Sequence, residues 1–103
     1  MSDYVFTPLA KADIFEIWSY IASDSEEAAD RVEQAIYDTC ALVSGNPGQG
    51  RVRPDLVAQP LRFRTLTRYP NYAIVYRPET VPLQIVAVMN GKRNIQRILK
   101  QRQ

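Results

Sequence analysis

A chain of 103 residues, 46% hydrophobic and 23% charged, has the size and composition of one globular domain with its own core. Its single cysteine excludes an internal disulfide framework and points to a cytoplasmic protein, while the absence of histidine removes Ser-His-Asp triads, His-activated thiols and His-based metal sites. The net charge of +2 conceals an imbalance: residues 1–50 sum to −7 and residues 51–103 to +9, an asymmetry that points to an anionic partner.

Asp3 to Phe6 is short and β-prone and predicts a first strand. Thr7-Pro8 predicts a helix start, with threonine as N-cap and proline at the first helical position, where its missing N–H costs nothing. Ala10, Ile14, Ile17, Trp18 and Ile21 form an apolar stripe on one helical face, and Phe15 and Tyr20 fall off it. Ser23 with Glu26, or Asp24 with Glu27, fits a capping box opening a second helix. Ala28, Ala29, Val32, Ala35, Ile36, Thr39 and Val43 form its stripe, whose small residues predict close packing in an antiparallel helical hairpin. Cys40, at the edge of that stripe, reads as a buried small hydrophobe.

Gly45-Asn46-Pro47-Gly48-Gln49-Gly50 predicts a glycine C-cap and a turn. It lacks the GxxxxGK[ST] pattern and follows a helix, which excludes a phosphate-binding loop. An irregular stretch through Pro54 and Pro60 follows. Leu61 to Leu66, Tyr72 to Arg77 and Leu83 to Met89 then read as three strands of an antiparallel meander. The last two are apolar on both sides, as strands covered on both faces would be. Lys92 to Arg102 reads as a short basic helix or a tail that orders on binding. The expected fold is α+β, in the order β-α-α-β-β-β, with the helical hairpin on one face of a twisted sheet and a basic C-terminal segment. The longest apolar runs fall far short of the ~18 residues of a membrane helix, and the N-terminus lacks the basic and apolar regions of a signal peptide.

The candidates for a binding surface are Arg62 and Arg64 on one strand face, Arg77 ending the next strand, Lys92 and Arg93 after the last, and Arg97 in the tail. Paired in order, the strands would bring them together on the exposed sheet face and its edge, where they could grip phosphates or a carboxylate-lined protein. The plainer reading is a solvated face whose arginines blunt an exposed strand. For RNA cleavage the residues offer charge stabilisation and no histidine for proton transfer. Asp13, Glu16, Glu26 and Glu27 fall on expected helix surfaces, where capping and solvation account for them, and no metal site or cofactor motif is visible.

Several local patterns carry a family resemblance. Phe6-Thr7-Pro8-Leu9-Ala10-(x2)-Asp13-Ile14-(x2)-Ile17-Trp18-(x)-Tyr20-Ile21 resembles the first strand and helix of the RelE/ParE superfamily of bacterial toxins. So do Ala28-Ala29, Asn46-Pro47-Gly48-(x)-Gly50, Leu61-Arg62, Tyr72-(x)-Ile74-(x)-Tyr76-Arg77 and Ile85-Val86-(x)-Val88-Met89-Asn90-Gly91-Lys92-Arg93-Asn94. The set looks more like the ParE branch than the RelE branch.

The resemblance implies the toxin of a type II toxin–antitoxin pair, binding DNA gyrase and neutralised by an acidic, partly disordered ParD-like antitoxin. On that reading Arg62, Arg64, Arg77, Lys92, Arg93 and Arg97 would engage the target, Phe15, Trp18 and Tyr20 are candidates for the antitoxin contact, and no cofactor is expected. The alternatives are a RelE-like ribosome-dependent ribonuclease and a degenerate toxin that keeps only antitoxin binding. Two departures bear on these. Asn90 stands where many ParE-like chains have histidine, and the lysine-rich first half and C-terminal tyrosine of RelE-like nucleases have no counterparts.

Overall fold

The computed structural model describes residues 3–53, 60–91 and 95–102. Its elements are β1 (Tyr4–Phe6), α1 (Pro8–Ala22), α2 (Glu26–Gly45), a 3-10 turn (Pro47–Gln49), β2 (Arg51–Val52), β3 (Arg62–Thr65), β4 (Tyr72–Arg77), β5 (Leu83–Asn90) and α3 (Ile95–Gln101). The strands form one sheet in the order β1-β5-β4-β3-β2, with β1 parallel to β5 and the other pairs antiparallel. The α+β order and the meander agree with the sequence. The two-residue β2 falls in the stretch read as irregular, because a strand that short has no period to detect.

Thr7 begins α1 as expected. Its backbone is extended and its hydroxyl accepts from the Ala10 N–H at 3.2 Å, with Pro8 at the first helical position. The Thr7 N–H also bonds to the Ile85 carbonyl at 3.0 Å, so the cap ties α1 to β5.

The start of α2 differs from both expected capping boxes. Ser25 is the N-cap and accepts from the Ala28 N–H at 3.1 Å. Ser23 is instead the helical C-cap of α1, with its hydroxyl on the Tyr20 carbonyl at 2.7 Å, so α1 runs further than its apolar stripe suggested. Glu26 and Glu27 occupy the first turn of α2, where carboxylates suit the helix dipole. At the other end Gly45 is still helical and Asn46 is the cap, in place of the expected glycine.

The sheet carries a core on each face. Ala10, Ile14, Val32, Ile36, Cys40 and Val43 of the hairpin pack on Ile74, Tyr76, Leu83, Ile85 and Val88. On the other face Leu99, with Ile95 and Ile98, packs on Leu61, Phe63, Val75, Ala87 and Met89. The C-terminal segment is therefore a docked helix and not a free tail, and β4 and β5 are apolar on both sides because both sides are covered. β5 carries a bulge: Val75 pairs with Ala87 and Tyr76 with Ile85, leaving Val86 over, so that Val86 and Ala87 both join the α3-side core. Among the described residues no helix is long and apolar enough to cross a membrane.

Candidate functional site

Strand register decides where the predicted arginines point. Arg62 pairs with Tyr76 and Arg64 with Ile74, and directly opposed residues share a face. Tyr76 and Ile74 belong to the core under the helical hairpin, so Arg62 and Arg64 lie on the hairpin side of the sheet. Arg77 alternates with Tyr76 and emerges on the α3 side, where its Nε donates to Gln84 Oε1 at 2.8 Å. The strand arginines do not converge on one exposed face, because the face they were expected to share is covered by α3 and two of them point the other way. Arg97 is exposed on α3. Lys92 and Arg93 lie outside the described residues.

Arg62 has a structural task. Its Nη1 donates to the Gly50 carbonyl at 2.8 Å. Beside it the fully buried Tyr76 Oη accepts from the Gly50 N–H at 2.9 Å and donates to the Pro47 carbonyl at 2.7 Å. Together the two side chains fasten the turn after α2 to the middle of the sheet. Gly50 is required there, since a Cβ would collide with Tyr76 Oη. Burial pushes the Tyr76 phenol above its usual pKa, against the opposing pull of the Gly50 N–H and of the Arg62 and Arg64 guanidiniums. Arg64 Nε is buried without a hydrogen-bond partner.

The three aromatic residues expected to meet a partner also separate. Phe15 and Trp18 line a groove of about 420 Å³ between α1 and α2, together with Phe6 and Tyr37. Tyr20 lines a different cleft, of about 340 Å³, between α1, the end of β5 and α3. Phe15 and Tyr20 are 70% and 79% exposed, as residues off the core stripe should be. Helical geometry separates them, because five residues at 100° each turn the second side chain well away from the first.

Asp13, expected on a solvated helix surface, has partners, and so have Asp30 and Glu33 of α2. Asp13 is nearly buried and accepts from both terminal nitrogens of Arg102, while the Asp30 carboxylate accepts from Trp18 Nε1 at 2.9 Å and Glu33 from the Tyr37 hydroxyl at 3.0 Å. No local pattern could have revealed the first of these, since Asp13 and Arg102 stand 89 positions apart, whereas Glu33 and Tyr37 are an i, i+4 pair on α2. Cys40 is buried as expected, and burial pushes its thiol up to about 12. Among the described residues no group of three or more His, Cys, Asp or Glu side chains could hold a metal ion.

Residues 4–95 match the family described as the ParE toxin of the type II toxin–antitoxin system parDE. A solved structure described as the chromosomal ParDE TA system from P. aeruginosa is similar to this chain at 25% identity and a TM-score of 0.69, covering 84% of this chain and 92% of the other. No curated protein matches the chain significantly.

Proposed function

The chain belongs to the ParE family of toxins of type II toxin–antitoxin systems, and from that premise we propose that it stops growth in the cytoplasm by binding DNA gyrase and is held inactive by a ParD-like antitoxin. The observation that carries inhibition by binding, as against RNA cleavage, is the state of Tyr76. A cleaving enzyme of this fold would need a proton acceptor beside its cations. The phenol beside Arg62 and Arg64 is buried, has both hydrogen bonds committed to the turn at Pro47–Gly50, and gives up its proton less readily than a free phenol. The chain has no histidine to replace it.

Target contact falls to the cations on the α3 side, Arg77 and Arg97, together with Lys92 and Arg93, whereas Arg62 and Arg64 support the surface from behind. Antitoxin contact falls to the helical hairpin, through Phe15 and Trp18 in one groove and Tyr20 in the other. The test is pulse-labelling of DNA and protein synthesis after induction without antitoxin, paired with gyrase supercoiling in the presence of the purified chain. An early fall in DNA synthesis with inhibited supercoiling is expected. An early fall in protein synthesis with cleaved transcripts would overturn the reading.

A further inference from the structure

The groove between α1 and α2 combines two kinds of wall. Phe6, Phe15, Trp18 and Tyr37 make it aromatic, and Asp30 and Glu33 bring two carboxylates from α2. Neither carboxylate is spent. Asp30 accepts one hydrogen bond from Trp18 and Glu33 one from Tyr37, and a carboxylate has about four lone-pair sites. These bonds also fix the two rings beside the two charges. Lys11 is the one cation on the lining, four residues before Phe15 on α1 and so on the wall opposite α2.

An aromatic wall that also carries anions suits a flat cation. Guanidinium stacks on rings and donates in a fork that matches a carboxylate, where an ammonium offers a compact, strongly hydrated charge. We propose that this groove binds an arginine side chain of a partner protein, stacked against Trp18 and Phe15 and paired with Asp30 and Glu33. The groove is thus selective for a basic segment, even though the net charge of the chain is positive. The location follows from how charge is distributed: the acidic half of the sequence makes the hairpin, and Glu26, Glu27, Asp30 and Glu33 lie along α2. Like-charge repulsion keeps an acidic segment of the antitoxin out of this groove, and a basic segment of the same partner fits it. The proposal rests on the antitoxin reading solely for which chain supplies the arginine.

Trp18 is the only tryptophan, so its fluorescence reports on this groove alone. The intact chain would be titrated with N-acetyl-arginine amide and with N-acetyl-citrulline amide, which has the same shape without the charge. A saturable change with the arginine compound, and binding about tenfold weaker or undetectable with citrulline, is expected from one stacking contact plus an ion pair. The double variant Asp30→Asn/Glu33→Gln keeps oxygen acceptors for Trp18 and Tyr37 and should fold normally, as circular dichroism checks, yet lose the arginine response. An equal response to both compounds, no saturable response, or an unchanged response in the folded double variant would each overturn the proposal. Failure of the antitoxin reading is a separate result: no complex forms when the wild-type chain is co-expressed with a ParD-like antitoxin, whatever the titrations give.

Discussion

Arg102, at the end of α3, grips Asp13 of α1 with both terminal nitrogens, Nη1 to Oδ2 at 2.5 Å and Nη2 to Oδ1 at 2.8 Å. The same carboxylate accepts the Val88 N–H at 3.0 Å, and Arg102 Nη1 also donates to the Val86 carbonyl at 3.1 Å. β1 pairs with β5 only from Leu83 to Ile85. Beyond that point two charged side chains occupy hydrogen-bonding positions that a neighbouring strand would otherwise fill, and they close the sheet edge while fastening both helices to it.

Removing either partner of this pair should therefore cost more than a surface ion pair. Both side chains are about seven-eighths buried, at 14% and 13% exposure, and Asp13→Ala leaves the Val88 N–H without its acceptor and the guanidinium with only the Val86 carbonyl. The expected loss is about 3 kcal/mol, near the lower end for breaking a buried pair. Urea unfolding would measure it, and a loss below about 1 kcal/mol would show that water replaces the carboxylate without difficulty.

Gly50 and Tyr76 should behave as a coupled pair. Gly50 has φ −75° and ψ 165°, open to any residue, so the obstacle to Gly50→Ala is steric: its Cβ would collide with Tyr76 Oη and lie 3.0 Å from Cε1 and Cζ. Overpacking of this kind costs about 1–3 kcal/mol. Tyr76→Phe leaves the Gly50 N–H and the Pro47 carbonyl without their partner, at a similar cost of about 1–3 kcal/mol. Because phenylalanine also removes the colliding oxygen, the double variant should be more stable than the two single losses predict. A double-mutant cycle on chemical denaturation measures this, and strict additivity would contradict the contact.

Alkaline pH should destabilise the fold. Burial raises the Cys40 thiol from 9.0 to about 12, and it raises the Tyr4, Tyr37 and Tyr76 phenols above 10.0. A group with its native pKa above its unfolded value loses its proton first in the unfolded chain. Its contribution is complete below the unfolded pKa and is lost as pH rises towards the native one. Stability should thus decline from about pH 9 through Cys40, and more steeply above pH 10 as the phenols join. Unfolding midpoints between pH 7 and 11 test this, and Cys40→Ala should delay the onset to the tyrosine range. The native thiol should also resist alkylation at pH 8 until the chain is unfolded.

Charge reversal should distinguish the two groups of arginines. Arg77→Glu and Arg97→Glu are expected to reduce growth inhibition by an order of magnitude or more, with the melting temperature nearly unchanged. Arg62→Glu should instead lower stability by about 1–3 kcal/mol, because the Gly50 carbonyl loses its donor and a carboxylate is placed against it. Toxicity assays in parallel with thermal melts separate the two effects. Full toxicity in Arg77→Glu/Arg97→Glu would remove both residues from the target surface.

Much of the fold was legible because it is written in local chemistry. Thr7-Pro8 starts α1 through bonds three residues away, and the apolar stripes mark both helices. The doubly apolar β4 and β5 already implied a layer on each face of the sheet, and α3 supplies the second one. The family pattern was legible too, since it is spread in order over nearly the whole chain.

What the sequence by itself determined, then, was the order of elements, the burial of their apolar faces and the acidic and basic halves, all set by periods of two and 3.6 residues and by side chains acting on near neighbours. The tertiary structure alone decided which face each arginine takes. That depends on register against another strand, and it put Arg62 and Arg64 under the hairpin with Tyr76 and Arg77 on the opposite side. It likewise paired Asp13 with Arg102 and brought Asp30 beside Trp18. Between elements, charged side chains carry no period that names their partner, so that pairing is settled only when packing brings distant or differently facing elements together.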